Sequence, residues 1–187
     1  MKRWAWLFPA VVLAPMWACQ DHDDEPVPSD ESPRVRRAGE PRRVLIERIL
    51  ISYRGNTFDI TARRSLDEAR ALAMRVYERA QTGEDFTKLR DGYSDDRLPG
   101  SKFANGPYVL LNYDTPPAPT MAQVPRMGRM SMGRRLGDRA FRMRDGEFAL
   151  IEYHEVDYPA GYEIIRCLQR DDRTEAQVAE DLKRGNK

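Results

Sequence analysis

Residues 65–96 read SLDEARALAMRVYERAQTGEDFTKLRDGYSDD, and the punctuation of this stretch sets the organisation of the chain. Ser65 with Glu68 three residues later is a capping box, in which a hydroxyl and a carboxylate satisfy each other's first-turn amides. Ala69, Leu72, Ala73, Val76, Tyr77 and Ala80 then recur at spacings of three and four, so one apolar stripe is available to lie on a sheet. Gly83 suits the position just past a helix C-terminus. A second, shorter helix follows, with Glu84 and Asp85 at its positive end and Phe86, Leu89 and Tyr93 on its inner face. Two amphipathic helices in succession need a layer to cover, and the flanking sequence supplies one.

Upstream, VLIERILISY (Val44 to Tyr53) is aliphatic, β-branched and short, which reads as a strand. The loop RGNTFDITARR separates it from the capping box. Downstream, Arg97 to Met130 is rich in proline and glycine and reads mostly as loop, although PYVLLNY within it has strand character. GRRLGDRAFRM predicts a third short helix, weakened by Gly137. DGE then turns into a strand around FALIEY, HEVDYPAG loops back, and YEIIRCLQR forms the last strand. The closing RTEAQVAEDLKR fits either a solvated helix or a frayed tail. With apolar strands at both ends of the order, the pattern implies a small α/β or α+β sheet whose first and last strands are neighbours.

The start of the 187-residue chain is an address. MKR is a basic leader ahead of WAWLFPAVVLAPMWA, an apolar run of signal-peptide length that is short for a membrane span. Ala18 before Cys19 resembles a bacterial lipoprotein signal, with Cys19 as the acylated residue and residues 1–18 removed. Residues 19–41 are acidic and proline-rich with nothing to bury, and read as a disordered tether. His22, which lies in it, reads as a solvated tail residue. The only other cysteine, Cys167, lies in the last strand pattern and is assigned no redox role; with Cys19 acylated no internal disulfide forms. Thirty-one basic against 30 acidic residues, a net charge of +1, and no basic stripe with interleaved aromatics argue against nucleic acid as a partner.

In order along the chain, ERILISY, the helical pair with its G-x-D-F (Gly83 to Phe86) and Y-S-D (Tyr93 to Asp95) signatures, DRAFRMRDGE and GYEIIRCL resemble the parvulin-type peptidyl-prolyl isomerases. The resemblance covers residues 42–170, with an insert around 97–130 and a tail from 171 to 187. It implies an α+β fold, a four-stranded, mostly antiparallel sheet wrapped by about four helices, and isomerisation of X-Pro bonds without cofactor or metal. By position the family's proline-pocket Met falls on Met132 and its Phe on Leu136, with Phe141 five residues beyond. Its first-strand histidine falls on Tyr53, its cysteine or aspartate on Asp96, and its last-strand histidine on Glu163. Both histidines are therefore replaced, and adjoining Asp96 and Glu163 carboxyls would raise the pKa of one of the two and let them share a proton. His154 lies in a loop and reads as outside the site. The implied partners are Pro-containing unfolded or exported polypeptides, with the membrane reached through the lipid anchor. The implied location is the periplasmic side of the cell envelope, at the outer membrane. A peptide-holding module that lacks turnover is the alternative the missing histidines raise.

Overall fold

The computed structural model describes residues 34–56, 61–96, 107–116 and 125–185; Cys19, His22 and most of the stretch 97–130 lie outside them. The fold is α+β. Its order is β1 (Arg43–Ile51), α1 (Leu66–Gln81), α2 (Phe86–Tyr93), β2 (Tyr108–Leu111), β3 (Arg126–Gly128), a 3-10 turn (Arg129–Met132), α3 (Arg134–Arg142), β4 (Phe148–Ile151), β5 (Tyr162–Asp171) and α4 (Glu175–Gly185). Ser65 caps α1 with both bonds of the capping box formed, and Asp85 caps α2 by accepting from the Lys88 amide. The C-terminal stretch left open between helix and tail is helical as α4.

The strands form one sheet in the order β3-β2-β1-β5-β4. β1 and β5 are antiparallel neighbours over their whole length, with Leu50 opposite Glu163 and Ile51 opposite Tyr162. The first and last strands thus lie side by side, as the sequence pattern implies. The sheet has five strands rather than four, and it is mixed, because β3 runs parallel to β2. β3 is three residues long and carries no readable period; it forms because the Val109 amide donates to the Pro125 carbonyl at 2.9 Å and leads the chain alongside β2. β2, formed by the strand-like PYVLLNY segment, is flanked on both sides.

Strand alternation sorts the interior into two layers. On one face Ile49, Ile51, Tyr162 and Ile164 meet Ala69, Ala73, Val76 and Ala80 of α1 and Phe86 and Leu89 of α2. On the other, Val44, Ile46, Tyr108, Leu110, Ile165 and Cys167 meet Met132, Leu136, Ala140 and Phe141. Cys167 is fully buried, and burial pushes its thiol up to about 11, which keeps it protonated and inert.

A second organising contact lies at the other end of the molecule. Arg129, in the 3-10 turn, donates to both oxygens of Glu40 and to Asp138, and its guanidinium lies between the rings of Tyr113 and Phe141, 5.0 and 4.9 Å from their centres. Both Arg129 and Glu40 are buried. Residues before Arg42 therefore belong to the folded body as far as Glu40, although the tether was expected to run to residue 41. Gly137 permits this closeness: a Cβ there would lie 2.2 Å from the Arg129 carbonyl oxygen.

Burial alone would raise the Glu40 carboxyl, but the bonds and charge of Arg129 and the Arg37 amide hold it below the usual range. Such a carboxylate contributes its stability in full above the unfolded-state value and loses it as pH falls through the folded one. Glu40→Gln is expected to lower stability near neutral pH by about 1–3 kcal/mol, with the difference from wild type shrinking toward pH 3, as read by urea unfolding at several pH values.

Candidate functional site

The inward row of β1 on the α3 side runs Val44, Ile46, Arg48, Leu50, so a guanidinium occupies an otherwise apolar series. The matching row of β5 is Glu163, Ile165, Cys167. Because Arg48 faces Ile165 and Leu50 faces Glu163 in the ladder, Arg48 and Glu163 are diagonal neighbours on one face. Their contact is an ion pair from Arg48 Nη1 to Glu163 Oε1. The second arm, Arg48 Nη2, pairs with Oδ2 of Asp96 in the segment that follows α2.

Backbone ties explain how Asp96 arrives there. The Asp95 amide donates to the Leu50 carbonyl at 2.8 Å, and Ser94 Oγ accepts from the Leu50 amide at 3.2 Å. The Asp95 carboxylate accepts from the Ser52 amide at 2.8 Å and pairs with Arg64. Tyr-Ser-Asp-Asp is therefore stitched along the end of β1, with Asp96 turned to the Arg48 face.

Two phenols complete the cluster. The Arg48 guanidinium stacks over the Tyr108 ring at 5.2 Å, while the Tyr108 hydroxyl donates to Asp96 Oδ2 at 3.4 Å. Tyr158 faces Glu163 from the loop between β4 and β5, and burial, then the Glu163 charge, raises its phenol well above the ordinary value. A reciprocal pair of 3.0 Å backbone bonds between His154 and Tyr158 closes this loop as a tight turn. Its ring packs on Gly133, where a Cβ would lie 2.8 Å away, so the cluster touches the segment that carries Met132.

Glu163 points inward and is 0% exposed. Burial pushes its carboxyl up, with Asp96's charge adding, against the opposing pull of Arg48 and Tyr158. Burial alone would lower Arg48, but the charges of Glu163 and Asp96 hold it firmly protonated. The two carboxylates thus do come together, but around a shared cation: each bonds its own arm of Arg48, in place of the shared proton expected from the sequence.

Tyr53 lies elsewhere. It stands two residues past the end of β1, packs against the α1-side layer, meets Tyr153 edge-to-face at 5.3 Å and donates to the Pro159 carbonyl at 3.4 Å. The strand residue that meets Asp96 and Glu163 is Arg48, and the phenol beside Asp96 is that of Tyr108. His154 is likewise outside the cluster: its Nδ1 accepts from the Asp157 amide at 3.1 Å within its own turn. Of the three apolar residues, Leu136 and Phe141 are fully buried and Met132 is 8% exposed, so Met132 is the one that reaches the surface. Arg48, Tyr108 and Tyr158 were not singled out in the sequence; the signal available for Arg48 was a charge in the inward series of a strand.

Among the described residues no helix is long and apolar enough to cross a membrane, and no group of three or more His, Cys, Asp or Glu side chains is placed to hold a metal ion. What the cluster offers chemically is a set of fixed charges and hydroxyls beside an apolar surface.

No protein-family model matches the chain, and no curated protein matches it. Among solved structures it is similar to PrsA from Bacillus subtilis, with 15% identity and a TM-score of 0.43 over 77% of this chain and 41% of that one. It is also similar to the peptidylprolyl isomerase PrsA from Bacillus cereus, with 19% identity and a TM-score of 0.43 over 79% of this chain and 42% of that one. The chain therefore spans about two fifths of the length of these structures.

Removing Arg48 leaves a fully buried carboxylate and a largely buried one without their cation. Arg48→Met is expected to cost about 3–5 kcal/mol in urea unfolding. Adding Glu163→Leu should recover more than about 1 kcal/mol of that loss, a coupling that simple addition of the single-variant effects would contradict.

Proposed function

We propose that this chain is a parvulin-like prolyl-peptide foldase, held at the cell envelope by acylated Cys19 and acting on Pro-containing segments of unfolded or exported polypeptides by cis–trans isomerisation. The observation that carries the reading is the meeting of Asp96 and Glu163 on one sheet face, linked through the Tyr158 ring to the segment that carries Met132, in a chain whose signature segments form the expected elements in the expected order.

The chemistry asks little of the protein beyond shape and fixed polarity. Rotation about an X-Pro bond breaks amide conjugation over a barrier of roughly 18–20 kcal/mol, with no bond made and no proton required. In the twisted state the nitrogen regains its lone pair and the carbonyl loses its resonance charge. An enzyme gains rate by holding that state better than either planar one. Here the Met132 side chain supplies an apolar contact for the proline ring. The Asp96–Arg48–Glu163 cluster supplies dipoles that are already oriented before the peptide arrives, so little reorganisation is needed during rotation.

One observation favours a second reading, a peptide-holding module without turnover. Both Nη arms of Arg48 are occupied by carboxylates, and Leu136 and Phe141 are closed into the core. A protease-coupled isomerisation assay on a proline peptide, run beside a binding titration with the same peptide, separates the readings. A rate above buffer supports the isomerase; binding at the buffer rate leaves the holding module; no binding excludes both. Met132→Ala is expected to weaken peptide binding by about 1–3 kcal/mol through lost apolar contact, and unchanged binding by a folded variant would return Met132 to a purely structural role.

A further inference from the structure

Resting on the proposed peptide site, we infer that Arg48 is its positioning residue, which locks Asp96 so that Oδ1 is the acceptor presented to a peptide N–H. Both hydrogen bonds to the Asp96 carboxylate fall on Oδ2, one from Arg48 Nη2 and one from the Tyr108 hydroxyl at 3.4 Å. None of the bonds made by the described residues engages Oδ1. The backbone is fixed independently: the Asp96 amide reaches Ser94 Oγ at 3.4 Å, and the preceding amide donates to the Leu50 carbonyl at 2.8 Å. With its backbone held by β1 and one oxygen held by two donors, the carboxylate has a set orientation, and its remaining oxygen has no donor among the described residues.

Glu163 then acts at one remove. It is fully buried and occupies Nη1, and the Tyr108 ring takes one face of the guanidinium at 5.2 Å. Two contacts, one in the guanidinium plane and one on its face, set the plane from which Nη2 reaches Asp96. Arg48 itself is 18% exposed at the side chain and Asp96 10%, so these two stand where the cluster opens toward solvent. A lysine at position 48 would hold one carboxylate as a point charge but could not present two fixed N–H arms in a plane.

The test combines a structural and a binding readout on the full chain. Nitrogen-15 spectra of the free protein should show slowly exchanging Arg48 Nη–H signals, with one set lost in Asp96→Ala. Titration with an Ala-Pro peptide should give an affinity that falls roughly tenfold in Asp96→Asn and in Arg48→Met/Glu163→Leu, with partial recovery in Arg48→Lys. Purely structural Arg48 would lower the melting temperature and leave the affinity of the folded double variant unchanged, which overturns the inference. Absent Nη signals in a wild type that binds peptide overturn the inference alone. No peptide binding by wild type overturns the functional reading, and the inference with it.

Discussion

The structure turns on a charge placed where a strand would ordinarily carry an aliphatic side chain. A guanidinium on the inner face of a central strand is tolerable only if its charge and donors are met nearby. β5 supplies Glu163 from the adjoining ladder, and the segment after α2 supplies Asp96 from across the chain. That requirement draws on the β5 ladder, which brings Glu163, and on residues 94–96, which the β1 backbone holds in place, while the Tyr108 ring covers the guanidinium face. The same face continues toward the segment that carries Met132 through the Tyr158 ring, so polar and apolar features meet there.

The two layers divide the work. The α1 and α2 side is made of small and aliphatic residues on a regular helix stripe, and contains little that is reactive. The α3 side carries the irregular pieces: the 3-10 turn, the short β3, the turn at His154, and both buried ionic clusters. Each cluster centres on an arginine that stacks on aromatic rings while bonding two carboxylates, Arg48 with Asp96 and Glu163, Arg129 with Glu40 and Asp138. Arginine suits this duty because its planar fork can bond in the plane and stack above it.

Much of the fold was legible because its signals are local. Ser65 and Glu68 close a capping box within four residues, and the spacing from Ala69 to Ala80 is one helix face. The adjacency of β1 and β5 followed from two apolar strands at the ends of the order. What escaped was non-local. β3 exists by virtue of its partner strand, not its own three residues. Gly137, read as a flaw in α3, is what allows the helix to approach the Arg129 carbonyl. At the site, Asp96 and Glu163 were found by position, whereas Arg48 was hidden inside an otherwise aliphatic strand and Tyr158 inside a loop whose direction is set by its His154 bridge. Tyr53 was placed in the cluster although β1 ends two residues earlier, and past that point alternation no longer dictates a face.

The Glu40–Arg129 bond has a mechanical consequence. β1 lies between β2 and β5, and the chain that leads into it is fastened at Glu40 to the turn before α3. Tension applied from the N-terminal side meets the Arg36–Asp114 ion pair and then that fastening before it reaches the β1 ladders. The Arg36 and Glu40 contacts thus stand between a pull on this end and the sheet that holds the Arg48 cluster.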